Sequence, residues 1–209
     1  MADQASMSLR MDRVVGSRPM SLLKSAGFKK SRRSFWREVG GVWQVVNFQS
    51  SRWNTSRRAN FTANFLLSFP GYHTMRFGRA APKNPAAAWP MWDMPMDFLK
   101  GERFDDWWCL DAELEPEALG SEVADKIEKF GLPFFEPYMS LAAVAKDLDE
   151  SARSADASWI PTVNWSILKW CSGERTHAIR RLEECREAMS PDSYTSVIES
   201  VLRRMQSSP

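Results

Sequence analysis

The sequence predicts an α+β fold with a small, mostly antiparallel four-stranded sheet, an N-terminal helix and a C-terminal set of helices. Two observations support this prediction. Residues 28–114 contain short runs in which apolar and polar side chains alternate, the pattern of half-buried strands. Residues 115–207 instead repeat apolar side chains at helical spacing. Strands followed by a run of helices are typical of the α+β class.

The elements follow in order along the chain. Pro19 in a first turn and Gly27 as a terminator predict the N-terminal helix. Residues 34–39 and 42–49 are predicted strands, because both are rich in Val and aromatic residues and Gly40-Gly41 between them is a hairpin signal.

Residues 59–69 predict a half-buried strand, since apolar side chains at every second position would face a core. The predicted core face is Phe61, Ala63, Phe65, Leu67 and Phe69. The predicted water-facing side is Asn60, Thr62, Asn64 and Ser68. Residues 107–114 alternate in the same way and predict a fourth strand.

Residues 70–103 show no periodic pattern and contain five prolines, so we expect a long irregular loop. Its tryptophans and methionines, such as Trp89 and Met91, are costly to leave in water, so the loop should pack on the sheet. Two roles stay open for it. It could carry partner recognition, or it could cover the sheet and bury Trp92 and Phe98 as a second small core.

The helical half, residues 115–207, is predicted to contain four or five helices. The predicted helices are residues 116–130, 140–153, 161–171 and 174–189, followed by a last helix that Ser190-Pro191 caps and that has Tyr194 on its apolar face. The first helix is expected to stop at Gly131 and Pro133, and the third to break at Ser172-Gly173. One domain over residues 1–209 is expected, because 209 residues suffice for one full core and no Ser/Gly-rich linker divides them.

Three motifs lie between Gly27 and Phe69: Gly27-Phe28-Lys29-Lys30, Asn47-Phe48-Gln49-Ser50-Ser51-Arg52-Trp53 and Phe61-Thr62-Ala63-Asn64. They resemble the bacterial DUF4304 family, as does the Trp107-Trp108 pair. The sequence departs from the family pattern after Asn64, where Phe65-Leu66 replaces the usual Leu-Gly. The resemblance implies no activity, because this family has no established one.

Charge is strongly segregated along the chain. Residues 1–92 hold fifteen Lys or Arg and three Asp or Glu, a net charge of +12. The remaining residues hold thirteen basic and twenty-three acidic ones, a net charge of −10. The halves could neutralise each other in the fold, or the basic surface could be exposed to an anionic partner.

Basic and aromatic residues are the main candidates for a binding function. They are Lys29, Lys30, Arg32, Arg33, Arg52, Trp53, Arg57, Arg58, Trp89 and Trp92, with Trp36, Arg37 and Trp43 nearby in sequence. Such a set can stack bases and pair phosphates, or anchor a protein interface. The structural alternative is that the tryptophans are core and the arginine stems only cover them.

Catalytic and metal-binding signals are few. His73 and His177 have no acidic or cysteine neighbours at metal-ligand spacing, and no P-loop, Gly-x-Gly-x-x-Gly or Gly-x-Ser-x-Gly motif is present. We therefore predict no metal and no cofactor. Asp111 and Glu113 would share a strand face, near Asp105 and Asp106, and could do acid–base work. Their structural alternative is a solvated face leading into a helix N-terminus.

Cys171 and Cys185 lie on apolar helical stripes and are expected to be buried structural thiols. The chain has no Cys-x-x-Cys spacing, no apolar run near the ~20 residues of a membrane span, and a polar N-terminus unlike a signal peptide. We therefore expect a cytoplasmic, reduced protein without a membrane partner.

Taken together, these patterns favour a non-catalytic bacterial binding or regulatory protein that uses a basic, aromatic surface. A protein partner is expected. This class includes an accessory or immunity-type protein, an interpretation that rests on analogy alone. A nucleic-acid-binding protein is the alternative, and a hydrolase using the carboxylate cluster is the second alternative. The oligomeric state stays open.

Overall fold

One six-stranded sheet organises the first part of the chain in a computed structural model that describes residues 6–101, 107–154, 159–189 and 195–207. Its strands are β1 (Lys29–Ser31), β2 (Ser34–Val39), β3 (Val42–Ser50), β4 (Arg58–Ser68), β5 (Trp92–Pro95) and β6 (Trp108–Asp111). The strand order is β1-β2-β3-β4-β5, and β6 also pairs with β4. The pairs β1–β2, β4–β5 and β4–β6 are antiparallel.

Helices account for most of the remaining chain. They are α1 (Met7–Gly16), α2 (Arg18–Ser25), α3 (Pro70–Phe77), α4 (Met96–Leu99), α5 (Pro116–Lys126), α6 (Leu132–Phe135), α7 (Leu141–Ser154), α8 (Trp159–Cys171), α9 (Arg175–Ala188) and α10 (Thr195–Ser207). None of the helices in the described ranges has the length and apolar character that a membrane crossing requires. The predicted α+β class is therefore confirmed.

The chain groups into two compact units. The first comprises Met1–Glu38, Trp43–Leu67 and Trp92–Pro137, and the second comprises Val39–Val42, Ser68–Met91 and Tyr138–Pro209. The first unit contains nearly all of the sheet with α1, α2, α4, α5 and α6. The second contains α3 and α7 to α10. That the whole chain forms one domain stays a prediction.

The predicted strand count of four is wrong, because β1 and β5 were not recognised as separate strands. β1 has three residues and β5 four, too few to show an alternating pattern. The predicted fourth strand, residues 107–114, is also shorter, since β6 ends at Asp111. The strands predicted at residues 34–39 and 42–49 agree with β2 and β3.

β4 is the longest strand and divides its outer edge between two partners. Its first half pairs with β6, with Arg58 opposite Asp111, and its second half pairs with β5, with Leu67 opposite Trp92. The predicted core face is confirmed, because Phe61, Ala63, Phe65, Leu67 and Phe69 are all buried.

The predicted wet face of β4 is wrong for Thr62, Asn64 and Ser68, which are buried. Burial is tolerable where polar groups are hydrogen-bonded. Asn64 Nδ2 donates to Gln49 Oε1 at 2.7 Å, and Ser68 Oγ donates to the Trp89 carbonyl at 3.1 Å.

The helix predicted to stop at Gly131 and Pro133 continues past both. After α5 the chain forms a π-helical turn, Ile127–Gly131, and then α6. Pro133 lies in the first turn of α6, where proline is tolerated. Gly131 is required for packing rather than termination, since a Cβ there would overlap the Phe65 ring.

Residues 70–103 are not the irregular loop that was predicted. Within the described part, to residue 101, the segment contains α3, a short 3-10 turn at Pro85–Ala87, β5 and α4. Pro70 occupies the first turn of α3, and Gly78 ends it in a left-handed conformation with φ 66°. Trp92 is half-buried, but Phe98 is exposed, so the predicted second core around both residues is wrong for Phe98.

The second unit is built around α8, which packs against α3, α7 and α9. Asn164 of α8 accepts a hydrogen bond from Tyr72 at 3.1 Å and donates one to the Met91 carbonyl at 2.7 Å. The predicted break at Ser172-Gly173 is confirmed, with Gly173 at φ 96°. The predicted cap Ser190-Pro191 and Tyr194 lie outside the described residues.

α1 was not predicted, while the predicted N-terminal helix corresponds to α2 with Pro19 in its first turn. α1 places Met11, Val14 and Val15 in the core. Because Arg10, Asp12 and Arg13 lie among these apolar residues, the local composition of the segment is polar although one helical face is apolar.

Packing of Phe65 over Gly131 gives a stability prediction. Phe65→Ala should lower the free energy of unfolding by about 3–5 kcal/mol, because the ring is fully buried against Phe134 and Phe135. Gly131→Ala should cost about 1–3 kcal/mol by overpacking. Combined with Phe65→Ala, the Gly131 substitution should cost much less, since the ring it strikes is gone. Urea denaturation of the four proteins measures this coupling, and additive effects would contradict the packing described.

Candidate binding surface

Most of the predicted binding residues meet at one end of the sheet of the first unit. The β1–β2 turn, the end of β3 and the start of β4 share that end because neighbouring strands are connected by short links. The Phe48 amide donates to the Arg33 carbonyl at 3.0 Å, and the Ser51 amide donates to the Asn60 carbonyl at 2.9 Å. The basic-aromatic surface defined by this end comprises Lys30, Arg32, Arg33, Arg52, Trp53, Arg57 and Arg58.

A first groove in this surface, the tryptophan groove, has a volume of about 630 Å³. It is lined by Gln49, Ser50, Ser51, Arg52, Trp53, Asn60 and Trp107. Trp53 is 76% exposed, and the Arg52 guanidinium lies 4.9 Å from the centre of its ring. The groove therefore offers a large apolar ring, a cation and two side-chain amides together.

A second groove, the basic groove, also has a volume of about 630 Å³. It is lined by Asp12, Lys30, Arg32, Arg33, Ser34 and Asn47. Asn47 is two residues from Gln49 of the tryptophan groove along β3, a separation of about 7 Å. The two grooves are thus neighbours on one surface.

Arg33 is held by contacts within the fold. Its Nε donates to Asp12 Oδ1 at 2.6 Å, its Nη1 to Ser50 Oγ at 3.1 Å, and its Nη2 to both the carbonyl and the hydroxyl of Ser8 at 2.7 Å. Asp12 and Ser8 belong to α1. Arg33 therefore ties α1 to the β1–β2 turn and to the end of β3, and Asp12 neutralises its charge.

The other cations of the surface have no such compensation. Within the ranges that the structure describes, Lys30, Arg32, Arg52 and Arg57 form no ion pair with a carboxylate. Arg58 Nε donates to Cys109 Sγ at 2.8 Å. Four of the seven basic-aromatic residues are thus positive charges available to a partner.

Basic residues on the N-terminal helices are compensated instead. Arg13 of α1 pairs with Glu117 at 3.0 Å, and Arg18 of α2 pairs with Asp125 at 2.6 Å, both acids being on α5. The charges of Arg13 and Arg18 are therefore neutralised by acids of α5, as that of Arg33 is by Asp12. That the remaining basic surface meets an anionic partner stays a prediction.

The remaining candidates lie elsewhere. Lys29 covers the Trp36 ring at 5.0 Å. Trp92 is opposite Leu67, nine residues along β4 from Arg58 and so about 30 Å away. Trp89 belongs to the second unit, where it is 63% exposed and contacts the Phe77 ring. A binding role for these three residues stays a prediction.

His73 is a structural residue of α3. It is buried, and its Nε2 accepts a hydrogen bond from the Trp89 amide at 2.8 Å. That bond requires the lone pair of a neutral imidazole. Burial lowers the pKa of His73 below its ordinary value. The only other histidine, His177, is exposed and contacts the Trp165 ring edge to face.

The carboxylate pair Asp111 and Glu113 does not share a strand face as predicted, because β6 ends at Asp111. Asp111 Oδ1 instead accepts hydrogen bonds from the amides of Glu113 and Leu114, which closes the turn into α5. Asp105 and Asp106 lie outside the described residues. Among the described residues, no three or more histidine, cysteine, aspartate or glutamate side chains are placed together so that they could hold a metal ion.

The predicted structural thiols differ in burial. Cys185 is buried, and Cys171 is half-buried. Burial raises the pKa of the Cys171 thiol to about 11, so the thiol stays protonated near neutral pH and is a poor nucleophile.

Eight lining residues were not singled out from the sequence as site residues: Asp12, Ser34, Asn47, Gln49, Ser50, Ser51, Asn60 and Trp107. A usable signal existed for two of them. Asn47 and Gln49 lie at alternate positions of β3, so the period of a strand places both on one face. Asp12 carried no signal, because its place beside Arg33 depends on how α1 packs.

The described residues form a fold of the α+β class. The family model described as domain of unknown function (DUF4304) matches residues 20–137, more than half of the chain. The chain belongs to the DUF4304 family, which confirms the resemblance seen in the sequence. No curated protein and no solved structure matches the chain.

The lowered pKa of His73 predicts a pH dependence of stability. The unfolded chain, with an ordinary pKa near 6.5, takes up a proton that the folded protein resists, so stability is lost as the pH falls through that value. Between about pH 7.5 and about pH 5.5, the thermal midpoint should therefore fall more for the wild type than for His73→Gln. His177→Gln is the matched control and should keep the wild-type slope. Equal slopes for the wild type and His73→Gln would contradict the assignment.

Proposed function

We propose that this protein is a non-catalytic binding protein that engages an acidic partner protein through its basic-aromatic surface. One observation carries the proposal: the 76% exposed Trp53 lies under the Arg52 guanidinium in one groove, and Lys30 and Arg32, which form no ion pair among the described residues, line the neighbouring groove. A partner that covers the exposed indole would remove its apolar area from water.

The residue types support a protein partner. Tryptophan and arginine are the side chains that most often dominate the energy of protein interfaces. Trp53 supplies apolar area, and Arg52 lies over its ring. Lys30 and Arg32 add positive charge in the neighbouring basic groove, which would accelerate encounter with an acidic surface and make the affinity depend on salt.

The chemistry of the grooves favours binding over catalysis. Among the described residues that line them, there is no histidine or cysteine that could act as a base or nucleophile. The serines Ser34, Ser50 and Ser51 therefore lack a partner that could activate them. A hydrolase built on Asp111 is disfavoured as well, because that carboxylate caps a turn.

The proposal includes the setting of the protein. We place it in the bacterial cytoplasm, where its three cysteines, which form no disulfide, are stable as thiols. An accessory or immunity-type role fits a protein that acts by covering an acidic surface of its partner. This part of the proposal rests on analogy and on charge complementarity.

Single-stranded nucleic acid is a second candidate partner, and the tryptophan groove favours it. Trp53 and Trp107 could stack bases, while the amides of Gln49 and Asn60 could pair with base edges. Phosphates would lie against the neighbouring arginines. An acidic protein partner and a single-stranded nucleic acid can be distinguished by which of two polyanions the chain binds.

The test uses the purified chain with two polyanions, poly-L-glutamate and oligothymidylate. Calorimetric titration of the wild type with poly-L-glutamate should show binding that weakens between about 50 and about 200 mM salt. Arg52→Ala combined with Trp53→Ala should weaken it by about tenfold or more. Phe98→Ala is the matched control, since it removes a 63% exposed aromatic ring of the first unit that lines neither groove, and should bind as the wild type does.

Three results would count against the acidic-protein proposal. They are the absence of poly-L-glutamate binding at low salt, an unchanged affinity in the double variant, and binding of oligothymidylate alone. The last result would establish the second candidate.

A further inference from the structure

Arg32 has an unusual backbone conformation for its residue type. Among the described residues it is the only one other than glycine with a positive φ, at 55°. It lies in the two-residue turn between β1 and β2, where Ser31 is opposite Ser34. Glycine or asparagine adopts this left-handed conformation readily, whereas a longer side chain makes it unfavourable.

The Arg32 side chain does not offset this strain within the described part of the fold. It is exposed and has no hydrogen bond or ion pair to any described residue. Its neighbour Arg33 differs completely, because Asp12, Ser8 and Ser50 bind its guanidinium. Arg33 therefore fixes the turn, and the turn presents Arg32 to solvent.

The basic groove beside the turn is suited to a single carboxylate. Lys30 and Arg32 both line it, and the Lys30 ammonium has only a weak 3.9 Å contact with Met20 Sδ. A guanidinium and an ammonium that share a groove can hold one carboxylate by bidentate and single hydrogen bonds.

The same groove is poorly suited to a nucleic acid strand. None of its six lining residues is aromatic, so a base would find nothing to stack on. Asp12 is paired with Arg33 at 2.6 Å, which leaves Lys30 and Arg32 as the cations of the groove without an ion pair among the described residues, fewer than a run of phosphates would need. A polypeptide can place one carboxylate beside Lys30 and keep uncharged groups near Asp12.

We propose that the basic groove is the subsite that captures a glutamate or aspartate side chain of the acidic partner, with Arg32 as its anchoring residue. The inference rests on the proposed function and adds to it a position and a partner group. The strained conformation of Arg32 then has a reason, since strain at a binding residue persists where the side chain is needed for recognition. The partner residue about two positions away would lie on Trp53, because the grooves are about 7 Å apart along β3.

Substitution of Arg32 by glycine separates the backbone from the side chain. Arg32→Gly removes the strain and the guanidinium together. We expect its thermal midpoint to rise by about 2–4 °C and its affinity for poly-L-glutamate to fall by about tenfold. If Arg32 had only a structural role, its replacement by glycine would not raise the thermal midpoint and weaken poly-L-glutamate binding together.

Arg57→Gly is the matched control. It removes the same charge from the same surface, but at a residue whose φ is not positive and which has no place in the basic groove. We expect it to leave the midpoint unchanged or lower, and to weaken poly-L-glutamate binding much less than Arg32→Gly does.

The outcomes distinguish this inference from the proposed function. If poly-L-glutamate binds the wild type and needs Arg52 and Trp53, but Arg32→Gly loses no more affinity than Arg57→Gly, the subsite is wrong and the proposed function stands. If poly-L-glutamate does not bind the wild type, the proposed function itself fails. Oligothymidylate affinity that depends on Arg32 while poly-L-glutamate affinity does not would overturn the carboxylate assignment.

Discussion

The packing of β4 against the turn between α5 and α6 is the constraint on which the first unit depends. β4 pairs with β5 and β6 along one edge, so its position sets the position of both. Phe65 fixes β4 from its core face by lying over Gly131 and against Phe134 and Phe135. The other end of the same strand begins at Arg58, beside the tryptophan groove. The position of the basic-aromatic surface therefore depends in part on how this buried strand is seated.

Electrostatics divides the basic residues into two groups with different roles. Arg13 and Arg18 join α1 and α2 to the acidic α5 through exposed ion pairs, which solvent screening keeps weak. Such pairs orient the helices more than they stabilise them. At the end of the sheet, Lys30, Arg32, Arg52 and Arg57 form no ion pair within the described ranges, so solvent, salt or a partner would relieve their mutual repulsion. Charge segregation along the sequence thus corresponds to two physical arrangements in the fold.

Regular elements with a strong local pattern could be predicted from the sequence, and those decided by packing could not. β2, β3 and β4 alternate over six or more residues, and α8 ends at the predicted Ser172-Gly173, so local rules suffice for them. β5 has four residues and exists because β4 offers an edge for pairing, which is tertiary information. Gly131 looked like a helix terminator, but its role is to make room for a ring from another element. The candidate site divides in the same way. Its basic and aromatic residues could be predicted from the sequence, while the two grooves and the position of Asp12 beside Arg33 could not.

Arg32 and Arg33 show most clearly why sequence alone stops short of function. They are adjacent and chemically identical, and no rule of composition or spacing separates them. The fold does so, because α1 brings Asp12 and Ser8 to one guanidinium and leaves the other in solvent. Neutralising Arg33 holds the turn, and the turn imposes a left-handed conformation on Arg32 that its side chain makes unfavourable. Arg33 thus serves the fold, whereas the left-handed conformation of Arg32 is set by the two-residue turn that Arg33 holds in place.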